Sequence, residues 1–321
     1  MSPRVLVTGA AGQIGSELVA SLREKYGRGN VVATDKFTAR NPGSADPPAY
    51  LDVTDQHSVE RMIIDDGIDT IYHLAAILSA VGEENPNLAW EVNMRGLKSV
   101  LDSATHSGVR RMFWPSSIGV FGPKTPKLMA PQDTTLNPTT MYGVTKVAGE
   151  LLCNYYSMKY GLDVRCLRFP GLISSEARPG GGTTDYAVEI FYSALEKGSY
   201  TCFLREDATL PMMYMPDALR AAIEVMEVDG RSVKLHMGYN LAAFSFSPKE
   251  LAAEIRKHLP DFRVSYSPDS RQEIADSWPK SVDDSAARRD WGWAPEYDLA
   301  KMTADMLAKL GARLTPSGKN V

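Results

Sequence analysis

Val5–Gly27, VLVTGAAGQIGSELVASLREKYG, reads as strand, turn and helix. A β-branched run gives way to glycines at 9, 12 and 15 and then to apolar residues at helical spacing. Such a turn brings free N–H groups and the positive end of the helix dipole to one place, which suits an anion. Gly9 permits the tight turn and Gly12 lets the backbone approach a pyrophosphate. Gly15 allows close helix–strand packing, with Gln13 and Ile14 at the helix start. The spacing is GxxGxxG rather than GxGxxG, and alone it also fits an ordinary turn. Asp35 supplies context, 20 residues beyond Gly15 at the end of a second strand. An acid there accepts hydrogen bonds from an adenosine ribose and repels a 2′-phosphate, so NAD is expected over NADP. Lys36 beside it keeps NADP open. In LDVTD, Asp52 and Val53 are placed to hold the adenine edge by side chain and backbone.

The same alternation continues outward in NVVATD, IDTIYHLAA, VRRMFWPSS and DVRCLRFPG, separated by amphipathic stretches. This predicts an α/β fold, a Rossmann-type doubly wound parallel sheet with a smaller C-terminal substrate lobe. The expected division is 1–169 for the sheet domain, with a return near 212–242, and 170–321 mainly for the lobe. Net charge is 35 − 39 = −4 without long blocks of one sign, which gives no footprint for nucleic acid. Five histidines and three cysteines are scattered, with no CxxC or HExxH, so no metal is expected. No run of about 18 apolar residues suggests a membrane span. The N-terminal run is too short and glycine-interrupted for a signal peptide. A cytoplasmic protein with reduced thiols is expected.

TTMYGVTKVAGELL sets Tyr142 and Lys146 one helical turn apart, and MFWPSSIGVFG ends a strand in Ser116 and Ser117. Tyrosine with a pKa of about 10 is a poor base at neutral pH. A neighbouring ammonium and a nicotinium favour the phenolate and lower that pKa, so Tyr, Lys and Ser together suit metal-free alcohol oxidation. YxxxK also arises in many helices by chance, and strand-end serines are often turn residues. The nucleotide loop upstream is what favours the catalytic reading.

Taken with YHLAA, NMRG (93–96) and the C-terminal DDSAARRDWGWAP, these motifs resemble the extended short-chain dehydrogenase/reductase family over nearly the whole length. The resemblance implies a bound nicotinamide cofactor and the triad Ser117, Tyr142, Lys146. Ser117 is preferred because the family's hydroxyl residue lies five before the glycine, here Gly122. It also implies that Leu74, Ala75 and Ala76 line the cofactor, with Asn93 nearby and Phe169 at a strand end. His73 fits as a packed strand residue.

A second glycine loop, RPGGGTTDYAVEIFYSAL (178–195), resembles the corresponding segment of the family's short-chain L-threonine 3-dehydrogenases. Ala187, Ile190, Phe191, Ala194 and Leu195 form an apolar helical face. Either Thr183 or Thr184 is expected as its N-cap, with Asp185 in the first turn. A small zwitterion offers a second use for these groups. Its carboxylate suits Gly180, Thr183 and Thr184, and its ammonium suits Asp185, which otherwise is only a dipole-matched acid. Ser79 follows the strand expected to end at the nicotinamide. Trp278 either covers the pocket or packs inside. The expected reaction is NAD-dependent oxidation of L-threonine to 2-amino-3-oxobutyrate. The alternative is a nucleotide-sugar epimerase or dehydratase, for which Arg178 and Arg205 are candidate diphosphate ligands. Apolar stripes with Val144, Val147, Leu151 and Tyr155 on the helix near 140–160, with a helix near 86–107, lead to an expected homodimer.

Overall fold

A computed structural model describes residues 2–37, 46–176, 178 and 180–314; Pro179, in the second glycine loop, lies outside them. The strands are β1 Val5–Thr8, β2 Val31–Asp35, β3 Ala49–Tyr50, β4 Thr70–His73, β5 Arg111–Ser117, β6 Asp163–Phe169, β7 Gly171–Ile173, β8 Ser199–Cys202, β9 Leu210–Tyr214, β10 Gly238–Asn240, β11 Phe244–Phe246 and β12 Arg263–Tyr266. The helices are α1 Gln13–Tyr26, α2 Gln56–Asp65, α3 Ser79–Glu84, α4 Pro86–Trp90, α5 Leu97–His106, α6 Met141–Tyr160, α7 Tyr186–Lys197, α8 Met215–Glu227, α9 Pro248–Arg256, α10 Arg271–Ser277, α11 Ser285–Trp291 and α12 Leu299–Leu314.

Seven parallel strands form the central sheet in the order β10-β6-β5-β4-β1-β2-β3. The chain runs outward from β1 to β3, then crosses back to lay β4 on the other side of β1. Ligands of such sheets bind at this reversal, beyond the carboxyl ends of the strands. β1 and β4 are buried at every residue because helices cover both faces, and so they read as continuous runs rather than alternating ones. Val5 and Val7 enter one core with Leu18, Leu22 and Phe113, while Leu6 enters the opposite core with Ile71, Val100 and Trp114. A third core gathers Tyr186, Phe191, Phe203, Phe246, Ile255 and Met306. Beside it lie the small sheets β11-β9-β7 and β12-β8.

Neither threonine of the second glycine loop caps α7. A turn precedes the helix, with Asp185 N–H donating to Gly182 C=O, and the N-cap is Asp185 in a helical conformation with no side-chain cap bond. The Asp185 carboxylate is turned back onto the loop, and Thr183 and Thr184 lie in the turn just ahead of the N-cap. Val147 likewise leaves the expected exposed stripe of α6, because it packs against the third core.

Candidate active site

The glycine turn after β1 is shaped by close approach. A Cβ on Gly9 would stand 2.6 Å from the Ala75 backbone nitrogen, and one on Gly15 would stand 2.2 Å from the Gly9 carbonyl oxygen. Gly12 is the N-cap of α1, which starts with no side-chain cap and no acid in its first turn. Its leading N–H groups are thus left without a side-chain cap, and Gln13 Nε2 is buried near them without a partner. Asp35 braces the turn: its carboxylate accepts Ala11 N–H at 2.9 Å and Phe37 N–H at 2.8 Å. Lys36 is drawn away into an ion pair with Asp52 at 2.6 Å. Asp52 also accepts from the Thr54 N–H and hydroxyl, and Val53 is buried against Gly96. Leu74, Ala75 and Ala76 follow β4 half-buried, next to the glycine turn. Asn93 lies in a π-helical segment, Glu91–Gly96, and fixes the neighbouring loop by bonding both backbone groups of Ile77 and the Thr145 hydroxyl. Phe169 closes β6 edge-on to Phe113, inside the core. His73 bonds Thr8 through Nδ1, and burial lowers its pKa to about 3, with Lys146 adding to the effect.

Strand pleating separates the two serines. Ser116 is buried and donates to Glu150 at 2.5 Å, whereas Ser117 faces the other way, accepts Gly119 N–H at 3.1 Å and bonds Tyr142. Gly119 leaves room for the tyrosine ring, since a Cβ there would meet Tyr142 Cε1 at 3.0 Å. Gly143 lets α6 sit on that same turn, where a Cβ would meet the Gly119 carbonyl at 2.3 Å. Thr140 caps α6 by accepting Gly143 N–H. Lys146 Nζ donates to Pro115 C=O at 2.5 Å and stands 5.5 Å from the Tyr142 ring centre. Burial pulls its pKa down to about 8, against the thiols of Cys153 and Cys166 and, to a lesser extent, the carboxylate of Glu150. Burial also pushes Tyr142 above the ordinary tyrosine value, against the Ser117 hydrogen bond. The lowering expected from an adjacent ammonium is missing because that ammonium is directed at Pro115.

Gly180 and Gly181 lie over Leu78 and Val81, on and just before α3, and Gly82 of α3 faces Tyr142. Ser79 is buried at the first turn of α3. Asp185, also buried, accepts N–H groups from Gly181 at 2.8 Å, Gly182 at 2.7 Å and Gly180. Burial raises its pKa despite these bonds. In this arrangement its carboxylate braces the loop. Thr183 Oγ1 is buried without a partner, and Thr184 packs its methyl under Gly171. Trp278 is buried in the third core, with its carbonyl accepting from Lys127. Arg205 is committed to Asp276 through two bonds, and the exposed Arg178 lies over Tyr192 near Glu196. The sequence reading missed Gly119 and Gly143, which stand in its quoted motifs, and the Glu150–Arg168 pair, whose partners are distant in sequence.

With this geometry in view, the model of the NAD dependent epimerase/dehydratase family matches residues 5–241. The chain belongs to that family. An uncharacterized epimerase/dehydratase of Staphylococcus haemolyticus is 51% identical over 307 residues, covering 95% of this chain and 96% of its own. L-threonine dehydrogenase from Phytophthora infestans is 51% identical, with a TM-score of 0.94 over 97% of this chain and 100% of that one. A monomeric L-threonine 3-dehydrogenase from a metagenome is 49% identical, with a TM-score of 0.92 over 96% of this chain and 99% of that one. Membership makes this an oxidoreductase-type enzyme and implies a nicotinamide dinucleotide cofactor. The glycine cradle, the open start of α1 and the unpartnered Gln13 amide fit such a group.

Proposed function

We propose that this protein oxidises the C3 hydroxyl of L-threonine to 2-amino-3-oxobutyrate, with NAD⁺ as hydride acceptor. The choice of substrate rests on the loop Gly180–Asp185, a tight glycine turn over α3 that carries a buried, unpartnered Thr183 hydroxyl. Such a place suits a small polar molecule. The full-length likeness to two L-threonine dehydrogenases supports the same choice. A nucleotide sugar is disfavoured because Arg205 is already paired with Asp276 and the exposed Arg178 is engaged by Tyr192 and Glu196.

Gly9, Gly12 and Gly15 with the start of α1 would hold the pyrophosphate, with Gln13 and Ile14 beside it. Asp35 would take the ribose, and Asp52 and Val53 the adenine. Leu74, Ala75, Ala76, Asn93 and Phe169 would line the inner end. The bound nicotinamide supplies the acceptor for the hydride that leaves C3. Tyr142 takes the proton from the substrate hydroxyl as that oxygen becomes a carbonyl, and Ser117 holds the same oxygen. Lys146 turns from Pro115 to the phenolate and the ribose hydroxyls, which brings down the tyrosine pKa that burial had raised. Ser79, Gly180, Thr183 and Thr184 receive the amino acid, with Asp185 shaping the loop and Trp278 backing it. Among the described residues no three His, Cys, Asp or Glu side chains gather as a metal would need.

The test is NADH formation with L-threonine, set against product analysis with UDP-sugars. In single turnover, Tyr142→Phe should lose about 10²–10⁴-fold in rate while still binding both ligands. A Tyr142→Phe rate near wild type, or turnover of UDP-sugars alone, overturns the reading.

A further inference from the structure

We propose that Glu150, through its buried pair with Arg168, is a positioning residue that fixes α6 on β5 and holds Lys146 in its working, protonated form. The inference rests on the Ser117–Tyr142–Lys146 chemistry proposed above. Glu150 is one turn beyond Lys146 on α6, and the two side chains engage successive residues of one strand. Lys146 donates to Pro115 C=O at 2.5 Å, and Glu150 accepts the Ser116 hydroxyl at 2.5 Å. Ser116 is the immediate neighbour of Ser117, so one carboxylate ties together the two elements that carry the whole set.

Glu150 is fully buried, and Arg168 on β6 binds it through two bonds, Nε–Oε1 at 2.8 Å and Nη2–Oε2 at 2.7 Å. Arg168 in turn donates to Gln132 C=O and to Asn240 Oδ1 at 3.1 Å, and Asn240 Nδ2 donates to the carbonyls of Ala130 and Asp283. The network thus reaches the segment that follows Trp278. It is closely covered: a Cβ on Gly238 would stand 2.6 Å from both Glu150 Oε1 and Arg168 Cγ. A buried pair of this kind often adds little net stability, because desolvation offsets the attraction. Its worth here lies in where it stands.

The charged or titratable groups around Lys146 are Tyr142, Glu150 and Cys153 on its own helix, Cys166 on β6, and His73 on β4, which is neutral at pH 7. Glu150 is the carboxylate among them. Glu150 favours the ammonium alongside the thiols of Cys153 and Cys166, which act on it more strongly. Losing the carboxylate disfavours the ammonium, and without the ammonium the Tyr142 phenolate forms only at higher pH.

Two measurements test this on the full-length protein. Lys146 is titrated by NMR with ¹³Cε-lysine, assigned with Lys146→Met, and needs no substrate. The pH dependence of kcat and KM is measured with L-threonine. In Glu150→Gln, Lys146 should lose its proton about one pH unit lower than in wild type. The rising limb of kcat should move up by a similar amount, which is about tenfold in rate below it, with KM within about twofold. Glu150→Asp should return the limb toward wild type. If Glu150→Gln does not fold, Glu150→Leu/Arg168→Met takes its place, since it leaves no buried charge unpaired; displacements of the same sign but smaller are expected, because a cation leaves with the carboxylate. A folded variant with a lower Tm but an unmoved lysine titration and an unmoved limb overturns the proposal. If Lys146 moves as stated while wild type fails to oxidise L-threonine, the substrate reading falls and the positioning role stands.

Discussion

Lys146 shows what a single residue contributes and what it costs. Its ammonium is buried against the Pro115 carbonyl and over the Trp114 ring at 4.5 Å, and burial brings its pKa to about 8. The unfolded chain holds that proton up to about 10.4. Between these values the unfolded state binds more protons than the native one, so this group makes stability rise with pH through that window, and its penalty is fully present below it. Lys146→Met is therefore expected to raise the unfolding free energy at pH 7 by on the order of 1–3 kcal/mol less the cost of stranding Pro115 C=O, and with it the Tm, while turnover is lost. Thermal melts at pH 7 and pH 10 check this: the gain should shrink at pH 10, and no gain at pH 7 contradicts it. Asp35 braces Ala11 and Phe37, and in the function proposed above it would also take the ribose. Asp35→Ser should narrow the preference for NAD⁺ over NADP⁺ by about tenfold, as a one-charge effect of ~1.4 kcal/mol would, and should raise KM for both. Steady-state kcat/KM values for the two cofactors decide it, and a wild-type preference for NADP⁺ defeats it.

Among the elements, the loop 180–185 carries the most specific demand. Gly181 has φ of +93°, a region that L side chains avoid, and its N–H is held by Asp185. Gly181→Ala should cost ~1–2 kcal/mol locally, enough to raise KM for L-threonine about tenfold. Cofactor affinity and global Tm should hardly change, because the strain falls on the loop and not on the sheet. A KM within twofold of wild type refutes that assignment. What the sequence disclosed follows the range of each interaction. The turn after β1 and the Tyr142–Lys146 helix face are local patterns, legible from spacing once each is read beside its neighbours in the chain. The choice of Ser117 over Ser116 comes from the family resemblance, and its physical reason is the pleat and the partner Glu150, 34 residues from Ser116. Asp185 was legible as an acid near a helix start, but its hold on three glycine N–H groups depends on a turn that propensity does not dictate. The π-helical turn around Asn93 leaves no mark in the sequence, since helical spacing there looks ordinary.

At the scale of the whole molecule, the crossing from β3 to β4 converges the glycine turn, residues 74–76 and Ser117 at one edge of the sheet, and α3 carries the second loop to the same place. The outer surface raises a different question. Leu88 and Trp90 on α4 and Val144, Leu151, Tyr155 and Met158 on α6 are exposed large apolar residues, and α4 packs against α6. Leu151 is 54% exposed and Met158 73%. Apolar patches of this kind on soluble chains mark interaction sites, and a two-fold axis would let α4 and α6 meet their own copies in a self-complementary contact. We therefore expect a homodimer through these helices, although one relative of 49% identity is described as monomeric. The two states differ in what α6 experiences, because a dimer buries the back of the helix whose front carries Tyr142 and Lys146. Leu151→Glu with Tyr155→Glu places two charges in that contact without touching the buried side. Light scattering should give a dimer mass for wild type at micromolar concentration and a monomer mass for the double variant. A wild-type mass near 35.2 kDa at those concentrations would show that the exposed stripe of α6 faces solvent.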